Sequence, residues 1–483
     1  MKEREKNAYL TVCLALCLAI IFSLFLVLLD GVRRNGVRLE VECVTDIGLH
    51  SILAEYHREL MKQYNLFAID ISYGTTLCSK TNTEAHLRNY LKKNLDYSDI
   101  LLSDFLYRDL LAIELEAVEL TKVSILSDYG GAVFRKNAVD AIKADVGLDL
   151  LEELQEWMQV IEVNGLENGE EEAEKQRIDE QISEYDGMEI EIEEEEWETL
   201  EINNPTDGLE AKKSLGILSL VTDGELSTSA LNTENLIMNR MQQGQVNQGN
   251  MAYTEQSEAE KLVEKFLFQE YLLKYMGHYG EEEDEDALHY QIEYLIVGGD
   301  SDVENLRSIA NRLLVIREAA NAAYLWSNGT KRAEISAIAA VVCTLIVLPQ
   351  LTALLEAAIL LAWAYAESIY DVKSLMAGGK IPLMKDDGSW HYSLSAALAG
   401  NLQEETQDGQ GLSYEDYLRV FMMLSGTDKI TARAMNMVEA DIRNTPGNSA
   451  FRLDGCYDAV EARIRFGSAH DYHYEITRQK SYY

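Results

Sequence analysis

"LLEAAILLAWAYAESIYDV", residues 354–372, decides how the fold is built, because it reads either as a membrane span or as the core of a folded domain. It follows "ISAIAAVVCTLIVLPQL" (335–351) after only Thr352 and Ala353. From Ile335 to Leu355 about 21 residues carry no charge, long enough for a helix to cross a hydrocarbon layer. Pro349 and Gln350 interrupt that run near its far end, and the clean apolar part of about 14 residues has the length of a buried core helix. Glu356 and Glu367 bracket the apolar centre of the second half, and a carboxylate at membrane depth costs roughly 2.5–3.5 kcal/mol. The expected arrangement is a central helical hairpin over 335–372, hinged at Pro349, with alanine-rich faces in close approach. Insertion into the membrane is the alternative.

The N-terminus carries a clearer signal. "YLTVCLALCLAIIFSLFLVLL" (9–29) runs for about 21 residues without a charge. A cleaved signal peptide has a shorter apolar region and small residues at the cleavage site, whereas this run leads into Asp30, Gly31, Arg33 and Arg34. The segment therefore reads as a retained anchor. Lys2, Arg4 and Lys6 before it nearly balance Arg33, Arg34 and Arg38 after it, so the short tail and large acidic remainder set the expected orientation: N-terminus inside, bulk outside.

Beyond the span, Val37, Val41, Val44, Gly48, Ile52, Tyr56 and Leu60 recur every three or four residues and predict an amphipathic stem helix over 30–64, packed by one face against a head. "NLFAIDISYG" (65–74) then reads as a buried strand closed by a turn. The residues expected to carry structural or interaction roles are Val41, Val44, Ile52, Tyr56 and Leu60 on the stem, and Leu66, Phe67 and Ile69 in the strand.

The rest of the chain mixes both periods. Residues 110–126 predict a strand and Tyr129–Glu162 helices. The acid-rich stretch 164–206 reads as a loop or helical insertion, "GILSLVT" (216–222) and "ALHYQIEYLIVGG" (287–299) as strands, and "MQQGQVNQGNMAYT" (241–254) as a flexible linker into a helix from Glu255 to Met276. Asp300 and Asp302 are placed to cap the helix that follows them. At the end, Val460, Ala462, Ile464 and Phe466 alternate against Tyr472, Tyr474 and Ile476, which predicts a hairpin over 457–483, with "LFAIDIS" as a candidate partner strand.

The segments "VECVTDIGLHSILAEYHRELMKQYNLFAIDISYG" (41–74), "LLAWAYAESIYDVKSLMAGGKIPLMK" (360–385) and "LSYEDYLRVFMMLS" (412–425) resemble a family of membrane-anchored bacterial proteins of unknown function. That family occurs with the TadE-like and TadG-like minor pilin components of Tad (Flp) pilus systems. The resemblance implies assembly with other pilus or secretion-system subunits and brings no catalytic residue with it.

The fold class is accordingly α+β and mostly helical. A short cytoplasmic tail (1–8) leads into a transmembrane helix (9–29) that continues as the stem (30–64). A mixed extracytoplasmic head follows, with a first part (65–163), the acidic insertion (164–206) and a remainder (207–483) that holds the apolar helical hairpin and a small antiparallel sheet. The location this implies is the bacterial cytoplasmic membrane, single-pass, with most of the chain outside.

With 82 acidic against 42 basic residues and a net charge of −40, the chain lacks the basic footprint that phosphate recognition needs, so a nucleic-acid partner is excluded. Part of the excess lies in solvated blocks such as "EEEDED" (281–286). Cys13, Cys17 and Cys343 fall in apolar runs, which leaves Cys43, Cys78 and Cys456; Cys43 and Cys456 are the candidate disulfide if the stem packs on the C-terminal sheet. The sequence holds no phosphate loop, no GxSxG, no CxxC and no HExxH. His50 and His57 stand seven residues apart rather than at ligand spacing, His470 and His473 flank a turn, and "DSDVE" (300–304) lacks the rest of a calcium loop. No catalytic, metal or cofactor site is assigned, and the reading is not an enzyme. The expected function is a pilin-like, membrane-anchored component that works through contacts with membrane lipid and other subunits, as a homo- or hetero-oligomer. A surface ligand-binding or enzymatic ectodomain is the alternative.

Overall fold

The computed structural model describes residues 2–96, 111–147, 149–167, 169–185, 189–193, 196–199, 216–253, 257–281, 286–344, 349–400, 409–468 and 472–482. The chain is mostly helical with a small antiparallel sheet, as the sequence predicts. It divides into two units, one formed by Met1–Asp140, Arg240–Glu255 and Val438–Tyr483, the other by Ala141–Asn239 and Gln256–Met437.

The first unit opens with α1 (Lys2–Leu53), an unbroken helix of 52 residues. Its apolar side chains from Leu10 to Val32 are exposed, Ile20 by 66% and Val27 by 68%. From Val37 onward the pattern inverts, and Val37, Val41, Val44, Leu49 and Ile52 are buried at helical spacing. This second half packs on α3 (Lys80–Leu95) through Gly48, where a Cβ would come within 2.8 Å of Leu91 Cδ2 and 3.2 Å of Leu87 Cδ1. Glycine permits that close approach.

The stem does not run to residue 64 as one helix. It stops at Leu53, because the backbone of the next residues pairs elsewhere: Tyr56 bridges Ile69, and the His57 N–H donates to Ala68 O at 2.9 Å. The His57 ring then accepts the Leu60 N–H at 3.2 Å and starts α2 (Arg58–Tyr64). The following strand, β1 (Ile69–Asp70), is shorter than 65–74, since the Asp70 carboxylate accepts both the N–H (2.9 Å) and the hydroxyl (2.8 Å) of Ser72 and turns the chain, with Tyr73 and Gly74 in the left-handed region.

Three longer strands complete the sheet: β2 (Ile113–Ile125), β3 (Cys456–Ser468) and β4 (Tyr472–Ser481). All pairings are antiparallel and all run through β3, with Ile464 facing Val118 on one side and Ile476 on the other. The expected C-terminal hairpin is present, and β1 joins it through Ile69 to Tyr457 and Asp70 to Cys456. Val460, Ala462, Ile464 and Phe466 alternate inward and meet the buried face of α1 in one core. The segment expected as a flexible linker covers the outer edge of β2. Asn250 N–H donates to Val123 O (3.0 Å), its amide oxygen accepts Val123 N–H (2.8 Å), and its amide nitrogen reaches Thr121 O (2.9 Å). An asparagine supplies donor and acceptor at once, so the edge at Thr121 and Val123 is satisfied without a further strand.

The second unit is helical. Its centre is α4 (Asp302–Ser327), α5 (Gly329–Thr344) and α6 (Pro349–Met376), with α4 and α5 both packed along α6. Every residue from Ala358 to Val372 is buried, so the stretch "AILLAWAYAESIYDV" is surrounded by protein. α5 and α6 form the expected hairpin; Leu345–Leu348 lie outside the described residues. α7 (Tyr414–Leu424) carries a capping box, in which Asp416 answers the Ser413 N-cap.

Two expected strands here are helices. Ile217–Val221 buries Ile217, Leu218 and Val221, and Gln291–Val297 ends at left-handed Gly298. A short apolar run buried on nearly all sides shows neither period, which is why 287–299 misleads. Part of the acidic 164–206 stretch is also built. The helix Glu170–Tyr185 buries Ile178 and Ile182, and Glu189–Glu193 pairs with Glu196–Thr199; residues 168, 186–188, 194–195 and 200–206, with Pro205, lie outside the described residues, as do 282–285 of the later acidic run. The N-cap of α4 is Ser301, not an aspartate. Asp302 is buried instead and accepts Ser227 Oγ (2.6 Å), His289 N–H (3.0 Å) and Tyr290 N–H (3.1 Å).

Candidate functional site

α6 places two acids, Glu367 and Asp371, one turn apart on the same face of an apolar helix. Burial of such groups is tolerated only with partners, and two elements of the same unit, α4 and the segment after α6, provide them. From α4, Arg317 Nε meets Asp371 Oδ2 at 3.0 Å and Asn321 Nδ2 donates to the same oxygen at 3.0 Å. From the segment after α6, Lys385 Nζ lies 2.6 Å from Asp371 Oδ1 and donates to Glu367 Oε1. The N–H groups of His391 and Tyr392 donate to the two oxygens of Glu367, each at 2.9 Å. The side chains of Arg317, Lys385, Glu367 and Asp371 are all wholly shielded from solvent. Two cations and two anions leave the cluster formally neutral. Burial pushes the Glu367 carboxyl up, but His391, Lys385 and Tyr392 outweigh it and hold the group below its ordinary value.

Aromatic rings close the cluster. Tyr370 stacks on His391 at 4.0 Å, Trp363 meets Trp390 edge to face at 5.4 Å, and both indole N–H groups donate to Tyr392 O at 2.9 Å. Lys331 Nζ from α5 lies 4.7 Å from both indole rings. Arg317 uses a second nitrogen, Nη1, on Pro382 O and Leu383 O (2.9 Å each) and on the Tyr417 hydroxyl (3.2 Å), which ties α7 to the same centre.

A cleft of about 260 Å³ in the same unit is lined by His278, Tyr279, Leu375, Gly378, Ser413 and Tyr414. Below it, Tyr414 donates to Glu293 Oε1 at 2.6 Å and Tyr279 N–H to the same atom at 2.9 Å, while Oε2 is buried without a hydrogen bond. Burial raises the Glu293 carboxyl despite those two donors. In the first unit, Arg240 bridges Glu439 (2.7 Å) and Asp454 (2.6 Å), and a cavity of about 330 Å³ runs past Cys78, Lys80, Thr121 and Asn250.

The residues singled out in the sequence come together, but inside the fold. Val41, Val44, Ile52 and Ile69 belong to the core of the first unit, Leu60 and Leu66 are also buried, and Tyr56 and Phe67 meet edge to face at 5.1 Å. Cys43 is exposed on α1 and Cys456 buried at the start of β3; neither is in a disulfide. His57 caps α2, His473 meets Glu116 at 2.9 Å, and His470 lies outside the described residues. Among the described residues no group of three or more His, Cys, Asp or Glu is arranged to hold a metal. The cluster around Asp371 escaped sequence reasoning, although Glu367 and Asp371 at i and i+4 in an apolar helix were its signal.

These features define an α+β protein with an apolar N-terminal helix, long enough to cross a membrane, and a helical unit built around a neutral buried ion cluster. The chain belongs to the Family of unknown function (DUF5702), whose model matches residues 195–468, more than half of its length and the whole of the cluster. No curated protein and no solved structure matches it.

Proposed function

We propose that the chain is a membrane-anchored, pilin-like assembly component of a Tad/Flp-type pilus or secretion apparatus, working by protein–protein contact rather than by catalysis. The observation that carries this reading is the division of α1. Its first half exposes an uncharged apolar surface from Leu10 to Leu29, a patch far larger than single scattered side chains need. Its second half is the central helix of the first unit's core, so anchor and sheet are joined without a hinge. A continuous helix of this kind fixes the sheet's height and orientation at the lipid surface, which suits a subunit whose work is assembly. Burial of 358–372 within the second unit supports a single-pass placement with the bulk on one side. The link to a Tad-type apparatus rests on the resemblance of residues 41–74, 360–385 and 412–425.

The test is deletion of the gene in the native bacterium, with electron microscopy of pili and fractionation of the tagged chain in the complemented strain. Loss of pili, with the chain in the membrane fraction, is expected. Intact pili and secretion in the deletion strain would remove the apparatus role.

A further inference from the structure

The geometry points to a covalent cross-link within the second unit: Lys385 Nζ condenses with the side-chain carboxyl of Asp371 to form an amide, with Glu367 relaying the protons. The inference stands on the ion cluster alone and does not depend on the role proposed above.

Three observations carry it. First, Lys385 Nζ and Asp371 Oδ1 are 2.6 Å apart, yet Oδ1 is buried without a hydrogen bond. The nitrogen is thus pressed against the carboxyl group outside hydrogen-bonding angles, instead of sitting on a lone pair. Groups held at contact distance by a rigid scaffold react as if at very high concentration. Second, the other oxygen, Oδ2, takes Arg317 Nε and Asn321 Nδ2 at 3.0 Å each. Those are the donors that stabilise the oxyanion formed when an amine adds to Cγ, and they are already in place. Third, Glu367 accepts from Lys385 on Oε1 while its position is fixed by the His391 and Tyr392 N–H groups, so a base stands beside the nucleophile.

The step balances without any co-reactant. The ammonium of Lys385 passes a proton to Glu367, which hands it on to Oδ1 of Asp371, so that an amine faces a carboxylic acid. The amine adds to Cγ, with negative charge collecting on Oδ2 under Arg317 and Asn321. The emptied Glu367 carboxylate takes a second proton from the nitrogen and delivers it to Oδ1; the C–Oδ1 bond breaks, and water departs. One ammonium and one carboxylate become one amide and one water, with no oxidant or reductant. The product keeps one cation, Arg317, and one anion, Glu367, so the site stays neutral while one buried ion pair disappears. Because all four charged side chains are closed to solvent, water is scarce for the reverse hydrolysis. The bond fastens the end of α6 to the segment that carries Trp390 and His391.

The test is the intact mass of the purified full-length chain in detergent. The expected wild-type mass is one water below that of the sequence, and a tryptic digest should lack cleavage after Lys385 and give a branched peptide joining it to Asp371. Glu367→Gln and Lys385→Met should both show the full sequence mass, with circular dichroism confirming the fold. A wild-type chain of full sequence mass, cleaved by trypsin after Lys385, overturns the proposal. So does a branch located on Glu367, or a cross-link that persists in folded Glu367→Gln.

Discussion

Arg317 and Asp371, 54 residues apart in the chain, meet at 3.0 Å with neither side chain touching solvent. The pair joins the two longest helices of the second unit at a depth where charge is otherwise not tolerated. Desolvation makes such a pair a poor source of net stability, but the loss of one partner is severe, since the other is left buried and uncompensated.

Arg317→Ala should therefore destabilise the chain by about 3–5 kcal/mol, read from urea or thermal unfolding. Arg317→Lys should fall between wild type and Ala. It keeps the charge but loses the fork that serves Asp371, Pro382, Leu383 and Tyr417 together. Equal stability of Arg317→Ala and wild type would mean that the cluster is not closed to water.

Glu293 makes stability depend on pH. Its carboxyl is raised in the folded chain by burial, so the folded state binds its proton more tightly than the unfolded state does, whose value is about 4.3. The contribution is fully present below the unfolded value and is lost as pH rises through the folded one. Glu293→Gln keeps an oxygen for Tyr414 and Tyr279 and cannot ionise. It should match wild type below about pH 4, exceed it in Tm at neutral pH, and flatten the decline between. Glu367 has the opposite sign, because its lowered carboxyl contributes above the unfolded value and loses that contribution on acidification. Parallel Tm-against-pH curves for Glu293→Gln and wild type would contradict the account of Glu293.

Gly48 sets how closely α1 and α3 approach. Alanine there gains up to about 1 kcal/mol of helix propensity, but its Cβ meets Leu91 and Leu87 at 2.8 and 3.2 Å, so the two effects should nearly cancel. Gly48→Leu has no such offset and should cost about 1–3 kcal/mol by overpacking, measured by chemical denaturation. A stabilised Gly48→Leu would show that the helices can separate freely at this point.

What the sequence discloses follows from which periods survive burial. The stem face and the C-terminal hairpin are legible because Val37 to Ile52 and Val460 to Phe466 are buried on one side only, so periods of about 3.6 and 2 stand out. The helix Gln291–Val297 is not, since Gln291 to Leu295 are all buried and no polar face marks the period. Neither is the break after Leu53, which depends on the backbone of Tyr56 and His57 finding partners at Ile69 and Ala68. The ion cluster is half legible. Two acids in an apolar helix announce that cations are needed, but Arg317 lies 54 residues before Asp371 and Lys385 follows a glycine turn, and no local pattern connects them. Asn250 shows the reverse error: a polar, glycine-containing stretch reads as a linker when its side-chain amide is in fact pairing with a strand edge.

The exposed half of α1 can be tested apart from the fold it serves, because its side chains from Leu10 to Leu28 are all exposed. A leucine, isoleucine, valine or phenylalanine in a span contributes only about −0.3 to −0.6 kcal/mol, while an arginine at its centre costs about 2.5–3.5 kcal/mol. Ile20→Arg alone should be carried by the remaining apolar residues, leaving the chain in the membrane fraction after alkaline carbonate extraction. Leu16→Arg, Ile20→Arg and Leu24→Arg together cost about 8–10 kcal/mol, which exceeds what the rest of the segment supplies, and should release the chain into the soluble fraction. Circular dichroism and the urea midpoint of the released chain should match wild type, as the buried half from Val37 to Ile52 is unchanged. Retention of the triple variant in the membrane would place the anchor elsewhere in the chain.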